Sequence, residues 1–276
     1  MIGWLLSAPA LLVMALAFLY PMAGLLRISF NRTTDTGAME TALTLDSYAK
    51  VATDPYEWGI AWDTLVLSTT SAAIATALAL PVVLVIRRAA PRWQTPLAIL
   101  AISPLLISGT ARVVGWRAIL GDLGLVNSTL RALGLTNAPI ALLNNWTGVR
   151  IGLVESLMPY AVLVLIAGLG RLDPRLEEAA ATLGAGRART FARVTLPLAA
   201  PALGGAFLLT LVLGISSFIT PKLMGGGRVY TVATEIFDQA LQTVDWPVAA
   251  SMAMLLLLTL LAVMVLRAVL RRGDEA

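Results

Sequence analysis

The sequence predicts an all-α integral membrane protein with six transmembrane helices and both termini in the cytoplasm. Three observations carry this: an apolar excess, six apolar runs of spanning length, and an uneven distribution of arginine between them. Of 276 residues, 58% are hydrophobic and 13% are charged, about half the charged share of a soluble domain. Too few polar side chains remain to clothe a water-facing surface. A spanning helix takes about 20 apolar residues, and runs at 4–26, 64–86, 94–111, 151–170, 199–221 and 247–266 supply them. Membrane-barrel strands would alternate apolar and polar residues instead. The third run extends to about Leu120 if Arg112 and Arg117 are admitted.

Loop charge sets the orientation. Segments 87–92, 171–197 and 267–276 hold 11 of the 20 basic residues and 5 acids, while the rest of the chain holds 9 basic residues and 11 acids. Cytoplasmic loops carry the excess of Lys and Arg, so these three segments lie inside. The first flank disagrees, since nothing basic precedes run 4–26 while Arg27 and Arg32 follow it. That run lacks a basic leader and is longer than a signal-peptide core, so it is expected to stay as an anchor. Residues 28–63 are then a polar, acidic external excursion. The expected organisation is an N-terminal helix and external loop over 1–63, a membrane domain over 64–266 and a cytoplasmic tail over 267–276.

Composition also removes function classes. There is no cysteine and no histidine, which excludes disulfides, thiolate nucleophiles and imidazole bases and removes the commonest metal ligand. No metal site is expected. A net charge of +4 is too small to suggest nucleic acid. The two lysines, Lys50 and Lys222, lie outside any Gly-x4-Gly-Lys phosphate loop, so nucleotide chemistry belongs to another chain.

Residues 173–197 form a polar, basic island between two apolar runs. Asp173-Pro174 is a strong helix start, with Asp as N-cap and Pro at the first helical position. Leu176, Ala179, Ala180 and Leu183 recur on one face at helical spacing. Gly184-Ala185-Gly186 breaks the helix, a second basic segment follows over 187–193, and Pro197 is expected to stop it. Glu177 and Glu178 are available to a partner's arginines. On physical grounds the unit is either a handle for a cytosolic protein or an amphipathic loop resting on lipid headgroups.

The spacing Glu178-Ala179-Ala180-x3-Gly184-x9-Val194-x-Leu196-Pro197 resembles the coupling-loop signature of permease subunits of type I ATP-binding-cassette importers, with Val194 in place of Ile. The resemblance implies a core of five helices plus a peripheral first helix, in a bacterial inner membrane. It implies that this loop docks into a cytosolic ATPase dimer, which binds the ATP, so the chain needs no cofactor of its own. It also implies a second permease subunit, either a different chain or a second copy, and an extracytoplasmic solute-binding protein.

Weaker matches resemble spermidine/putrescine-type permeases. They are Thr44-Leu45-Asp46-Ser47-Tyr48, Arg112-x3-Trp116-x3-Leu120, Gly124-Leu125-Val126-Asn127, Phe218-x-Thr220-Pro221, Met224-Gly225-Gly226 and Asp245-Trp246-Pro247. The expected solute is therefore a polyamine or similar small amine, with iron, 2-aminoethylphosphonate and opine-like compounds as alternatives. A self-sufficient carrier or an intramembrane enzyme is the remote reading. Absent His and Cys weigh against the enzyme, and a single intramembrane acid weighs against the carrier.

That acid is Glu155, the one charge inside any of the six runs. A charge there costs about 2.5–3.5 kcal/mol on insertion scales, so it faces a cavity or a partner. It lines the translocation path, pairs with Arg112, Arg117 or Arg150, or snorkels to the interface. Pro159, one turn on, removes a backbone bond and would open the helix toward the path. Arg112 and Trp116 share a face, either as a gate or as an interfacial anchor. Gly225-Gly226-Gly227 permits a sharp turn near the outer surface, and Glu235 and Asp238 are expected on a solvated external face.

Overall fold

Without water, the backbone of a bilayer-embedded segment satisfies its amides only through internal helical bonds, and helices account for nearly every apolar stretch of this chain. The structure is a computed structural model describing residues 2–34, 37–170, 173 and 175–274, with side chains described at Ser7 and from Pro9 to Val265 within those segments. In chain order the helices are α1 (Ile2–Ser29), α2 (Asp46–Thr53), α3 (Pro55–Arg88), α4 (Pro91–Ile102), α5 (Gly109–Leu120), α6 (Leu125–Ala132) and α7 (Trp146–Leu169). They continue as α8 (Arg175–Thr182), α9 (Arg187–Thr190), α10 (Leu196–Ile215), α11 (Ile219–Met224), α12 (Val232–Leu241) and α13 (Trp246–Asp274). A two-residue hairpin, β1 (Arg32–Thr33) with β2 (Met39–Glu40), sits in the excursion after α1.

Among the described residues, five helices are long and apolar enough to cross a membrane: Pro9–Ser29, Pro55–Arg88, Trp146–Leu169, Arg187–Ile215 and Trp246–Val265. The third predicted run departs from expectation. It is a bent pair, Pro91–Leu106 with Gly109–Ala132, turned by 95°, and counts as a sixth span only if the two limbs are taken together. The 3₁₀ turn Ser103–Leu106 carries Pro104 at its start, where an interior proline cannot donate and the helix cannot continue straight. The fifth run is shorter than expected: α10 ends at Ile215, and Thr220 and Pro221 belong to the separate short helix α11.

The chain divides into two compact units, residues 63–231 and residues 1–62 with 232–276. In the first, α3, α7 and α10 share a core of Ala79, Val83, Ala161, Val162, Leu165, Leu169, Ala199 and Ala206, with Ala101 and Ile102 of α4 packed against it. A second cluster joins Leu67 and Ala75 of α3, Val113 and Leu120 of α5, and Leu153 and Leu157 of α7 with Met224 of α11. Small residues set these distances, as membrane helices require when hydrophobicity gives no preference for protein over lipid. A Cβ on Gly214 of α10 would lie 3.3 Å from Ser68 Cβ of α3, and one on Gly168 of α7 would collide with Ala202 of α10.

In the second unit, α1 packs along α13 and α2 against its N-terminal part. Asp245 organises that end. Its Oδ1 accepts from Thr33 Oγ1 at 2.6 Å and from the Val248 amide at 3.2 Å, and Oδ2 meets Lys50 Nζ at 3.4 Å. One carboxylate thus caps α13 and ties the β-hairpin and α2 to it, and its side chain is only 8% exposed.

Packing at Gly168 has a direct test. Gly168→Leu is expected to lower stability by about 1–3 kcal/mol through overpacking. Gly204→Ala, where a Cβ meets nothing within 4 Å, should be neutral or stabilising by under about 1 kcal/mol. Unfolding of the purified chain in mixed detergent micelles, followed by helical ellipticity, separates the two.

Candidate functional site

Two groups of residues carry the candidate function, and both lie within the unit 63–231. The first is the polar island. Asp173 caps α8 as expected: its Oδ1 accepts from the Arg175 amide at 2.9 Å, while Pro174 lies outside the described residues. The far end of α8 is closed by Gly184 at φ +82°. The Gly184 amide donates to Ala181 O and the Ala185 amide to Ala180 O, both at 3.0 Å. This is the reciprocal pair of a Schellman cap, which needs a left-handed residue at the first non-helical position. Between the caps, Leu176 is 45% exposed and Leu183 89% exposed. Glu178 and Ala179 are exposed and Ala180 is half-buried, so α8 presents an apolar face that the described residues leave partly uncovered.

Glu177 does something else. Its Oε2 lies 3.5 Å from Arg88 Nη2 at the end of α3, and its Oε1 accepts from Thr195 Oγ1 at 3.0 Å. Thr195 is 2% exposed. Glu177 is therefore engaged inside the chain and does not stand free for a partner's arginine; Glu178 alone retains that exposure.

The expected stop at Pro197 does not occur. From Arg187 the chain runs as α9, then a π turn over Phe191–Thr195, then directly into α10. Pro197 sits in the first turn of α10, where its missing N–H is tolerated. The ladder widens ahead of it, with the Leu196 amide bonding to Phe191 O. Such π bulges absorb a ladder defect without breaking a helix. Val194 is half-buried in that turn, and Leu196 and Pro197 are exposed on the first turn of α10.

The second group lies where α5 meets α7. Arg112 Nη1 donates to Glu155 Oε1 at 3.2 Å, with side-chain exposures of 16% and 23%. Of the open readings for Glu155, the ion pair with Arg112 is the one observed. Trp116, one turn from Arg112, is half-buried against the Leu153 and Val113 cluster. Pro159 is buried, and α7 runs through it without interruption, so it does not open the helix. Arg117 Nη1 reaches Leu223 O at 3.4 Å, closing the end of α11.

Three side chains matter more than the sequence indicated. Asn127 is fully buried; its Nδ2 donates to Gly121 O and Ile140 O and its Oδ1 accepts from the Ile140 amide. It thus folds the segment between α5 and α7 around itself. Asn144, in the left-handed region at φ 56°, donates its amide to Met224 O and abuts Gly226, where a side chain would clash. Gly226 and Gly227 have φ of +57° and +72°, so the expected sharp turn is present and is held in place. Glu235, expected on a solvated face, is 6% exposed and accepts from Gln239 Nε2 at 2.8 Å.

Residues 64–273 match the family of binding-protein-dependent transport system inner membrane components. The chain belongs to that family. This permease is 30% identical over 252 residues to the spermidine/putrescine transport system permease protein PotB of Haemophilus influenzae, covering 91% of this chain and 88% of that one. It is 27% identical to the sulfoquinovosyl glycerol transport system permease protein SmoG of Agrobacterium fabrum, over 84% of this chain and 76% of that one. Its fold matches a chain of a bacterial alginate ABC transporter, solved with an alginate pentasaccharide-bound periplasmic protein. That match has a TM-score of 0.71 at 20% identity and covers 95% of this chain and 92% of the other. This permease is thus a multi-pass inner-membrane transport component of the ABC importer class, not an enzyme.

The ion pair yields a thermodynamic test. Arg112→Gln and Glu155→Gln each leave a charge in apolar surroundings and are expected to cost about 1–3 kcal/mol. The double variant should lose less than the sum, by about 1 kcal/mol or more. Additive losses in a double-mutant cycle on the detergent-solubilised chain would show that the two charges do not interact.

Proposed function

We propose that this permease forms half of the translocation path of an ATP-driven importer for a polyamine or similar small amine, and that residues 173–197 seat a cytosolic ATPase dimer. The observation that carries the coupling reading is α8 itself. It is a short helix capped at both ends, and the described residues leave Leu183 89% exposed and Leu176 45% exposed. A partner groove would bury these leucines, and Glu178 would meet a partner cation at its rim. The Glu178-to-Pro197 spacing supports the same assignment, and the excess of arginine places the segment in the cytoplasm. ATP is bound by the partner; this chain holds no cofactor. A second permease subunit supplies the other half of the path, and an extracytoplasmic solute-binding protein delivers the solute.

The amine assignment is supported by the similarity to PotB over most of both chains and by a carboxylate on α7 already engaged with a guanidinium. A primary ammonium also pairs with a carboxylate, so an amine solute would compete with Arg112 for Glu155 and release the guanidinium. A second reading keeps the assembly and changes the cargo. Because Arg112 neutralises Glu155, the visible charge at this point does not demand a cation, and iron, a phosphonate or an opine-like solute fits the same architecture.

Co-expression with the partner ATPase, second permease and binding protein in proteoliposomes tests both levels. ATP-dependent uptake of labelled spermidine, competed by putrescine, is the expected result. Leu183→Asp should strip the ATPase from the purified complex while leaving the chain folded. Uptake of ferric ion or 2-aminoethylphosphonate in place of spermidine would overturn the amine reading alone. Solute movement by the purified chain without ATP would overturn the importer reading itself.

A further inference from the structure

We infer that Glu177 is a positioning residue for energy coupling, one that locks α8 to the π turn opening α10 and plays no part in the docking face. This deepens the importer reading and rests on it. The geometry separates Glu177 from its neighbours on α8. Leu176, Glu178 and Leu183 are exposed, whereas Glu177 is half-buried and directed at the rest of its own unit. Its two carboxylate oxygens go to different elements: Oε1 to Thr195 Oγ1 at 3.0 Å in the π turn, Oε2 to Arg88 Nη2 at 3.5 Å at the end of α3.

The two contacts are unequal. Arg88 is 65% exposed, and an ion pair in water contributes little. Thr195 is 2% exposed, so its hydroxyl hydrogen bond to a carboxylate is both charge-assisted and shielded. Deleting either end strands a buried hydroxyl or a half-buried carboxylate. The bond therefore fixes where α8 sits relative to the first turn of α10, which is the spanning helix that α8 must move. The π turn supplies the position. With Leu196 bonded back to Phe191, the widened turn places Thr195 beside α8 and interior to the Arg187–Ile215 span. A push on Leu183 then reaches α10 through two routes, the covalent elbow at Gly184 and the Glu177–Thr195 bond. Without the second, the covalent route runs through the Gly184-Ala185-Gly186 elbow, whose glycines have no side chains to resist bending.

The chain has no cysteine, so labels can be placed cleanly at Ala181 on α8 and Ala192 in the π turn, both exposed. Spin-label distances in the assembled complex should be narrow in the unsubstituted background and broadened by Glu177→Ala and by Thr195→Val. Thr195→Ser and Glu177→Gln each keep the hydrogen bond and should restore the narrow distribution; Arg88→Ala should not disturb it. In proteoliposomes, Glu177→Ala and Thr195→Val should retain the ATPase and its hydrolysis but move at least about fivefold less spermidine per ATP, the lower range of coupling between sites. The double variant should be no worse than either single one. If Glu177→Ala folds poorly, Thr195→Val against Thr195→Ser decides the matter. Unchanged distances in both Glu177→Ala and Thr195→Val, or release of the ATPase by them, would overturn the inference. Absence of any ATP-driven uptake by the unsubstituted complex would instead strike the importer reading, and the distance measurement would still judge the bond.

Discussion

An amide left bare in hydrocarbon costs several kcal/mol, so each interruption of a helix in this chain needs a local answer. At 103–108 the answer is a 3₁₀ turn in which the Ile107 amide bonds to Pro104 O, after which the Arg112 amide bonds to Ser108 O and α5 starts afresh. At 216–218 the Ser216 and Ser217 amides bond back to Val212 O and Gly214 O, and Lys222 restarts the ladder on Phe218 O. Both breaks serve one arrangement. They swing α5 and α11 against α7, where Met224 and Thr220 close over Gly152 and Arg112 meets Glu155. The Arg112–Glu155 site is therefore made where broken helices meet the unbroken α7.

The ion pair follows from that arrangement. A carboxylate on α7 is tolerable within an apolar span because the 95° bend brings a guanidinium to it. With a straight third span, Arg112 would continue along the helix axis past the bilayer core, and Glu155 would have to find another cation or a proton. The bend and the charge thus depend on each other.

Much of this was legible in the amino-acid sequence, for reasons that also explain the misses. Hydropathy marks a spanning segment by composition, so the runs at 64–86, 151–170 and 247–266 correspond to α3, α7 and α13. Composition cannot register a bend, and the run at 94–111 read as one span although Pro104 and Gly109 mark its break. Pro197 misled in the opposite direction: proline forbids an ordinary ladder bond, but a π turn bypasses the defect. Asp173 and Gly184 were readable because caps depend on local chemistry. The inward turn of Glu177 and the burial of Asn127, Glu235 and Asp245 were not, because each depends on a residue at least four and up to 212 positions away.

A helix of eight residues is marginal in isolation, yet the proposed coupling role would require α8 to present one rigid face. Its sequence compensates at each point where such a helix would fray. Asp173 holds the first turn, Gly184 closes the last through two reciprocal bonds, and Glu177 holds the middle to a buried hydroxyl. The side chains left over, Leu176, Glu178, Ala179 and Leu183, are the ones that this chain does not use. In a segment this short, the division between residues that stabilise the helix and residues that face outward is nearly complete. On the proposed coupling role, the outward set is what the ATPase would meet, and the inward set would determine whether a displacement of that face reaches the membrane helix behind it.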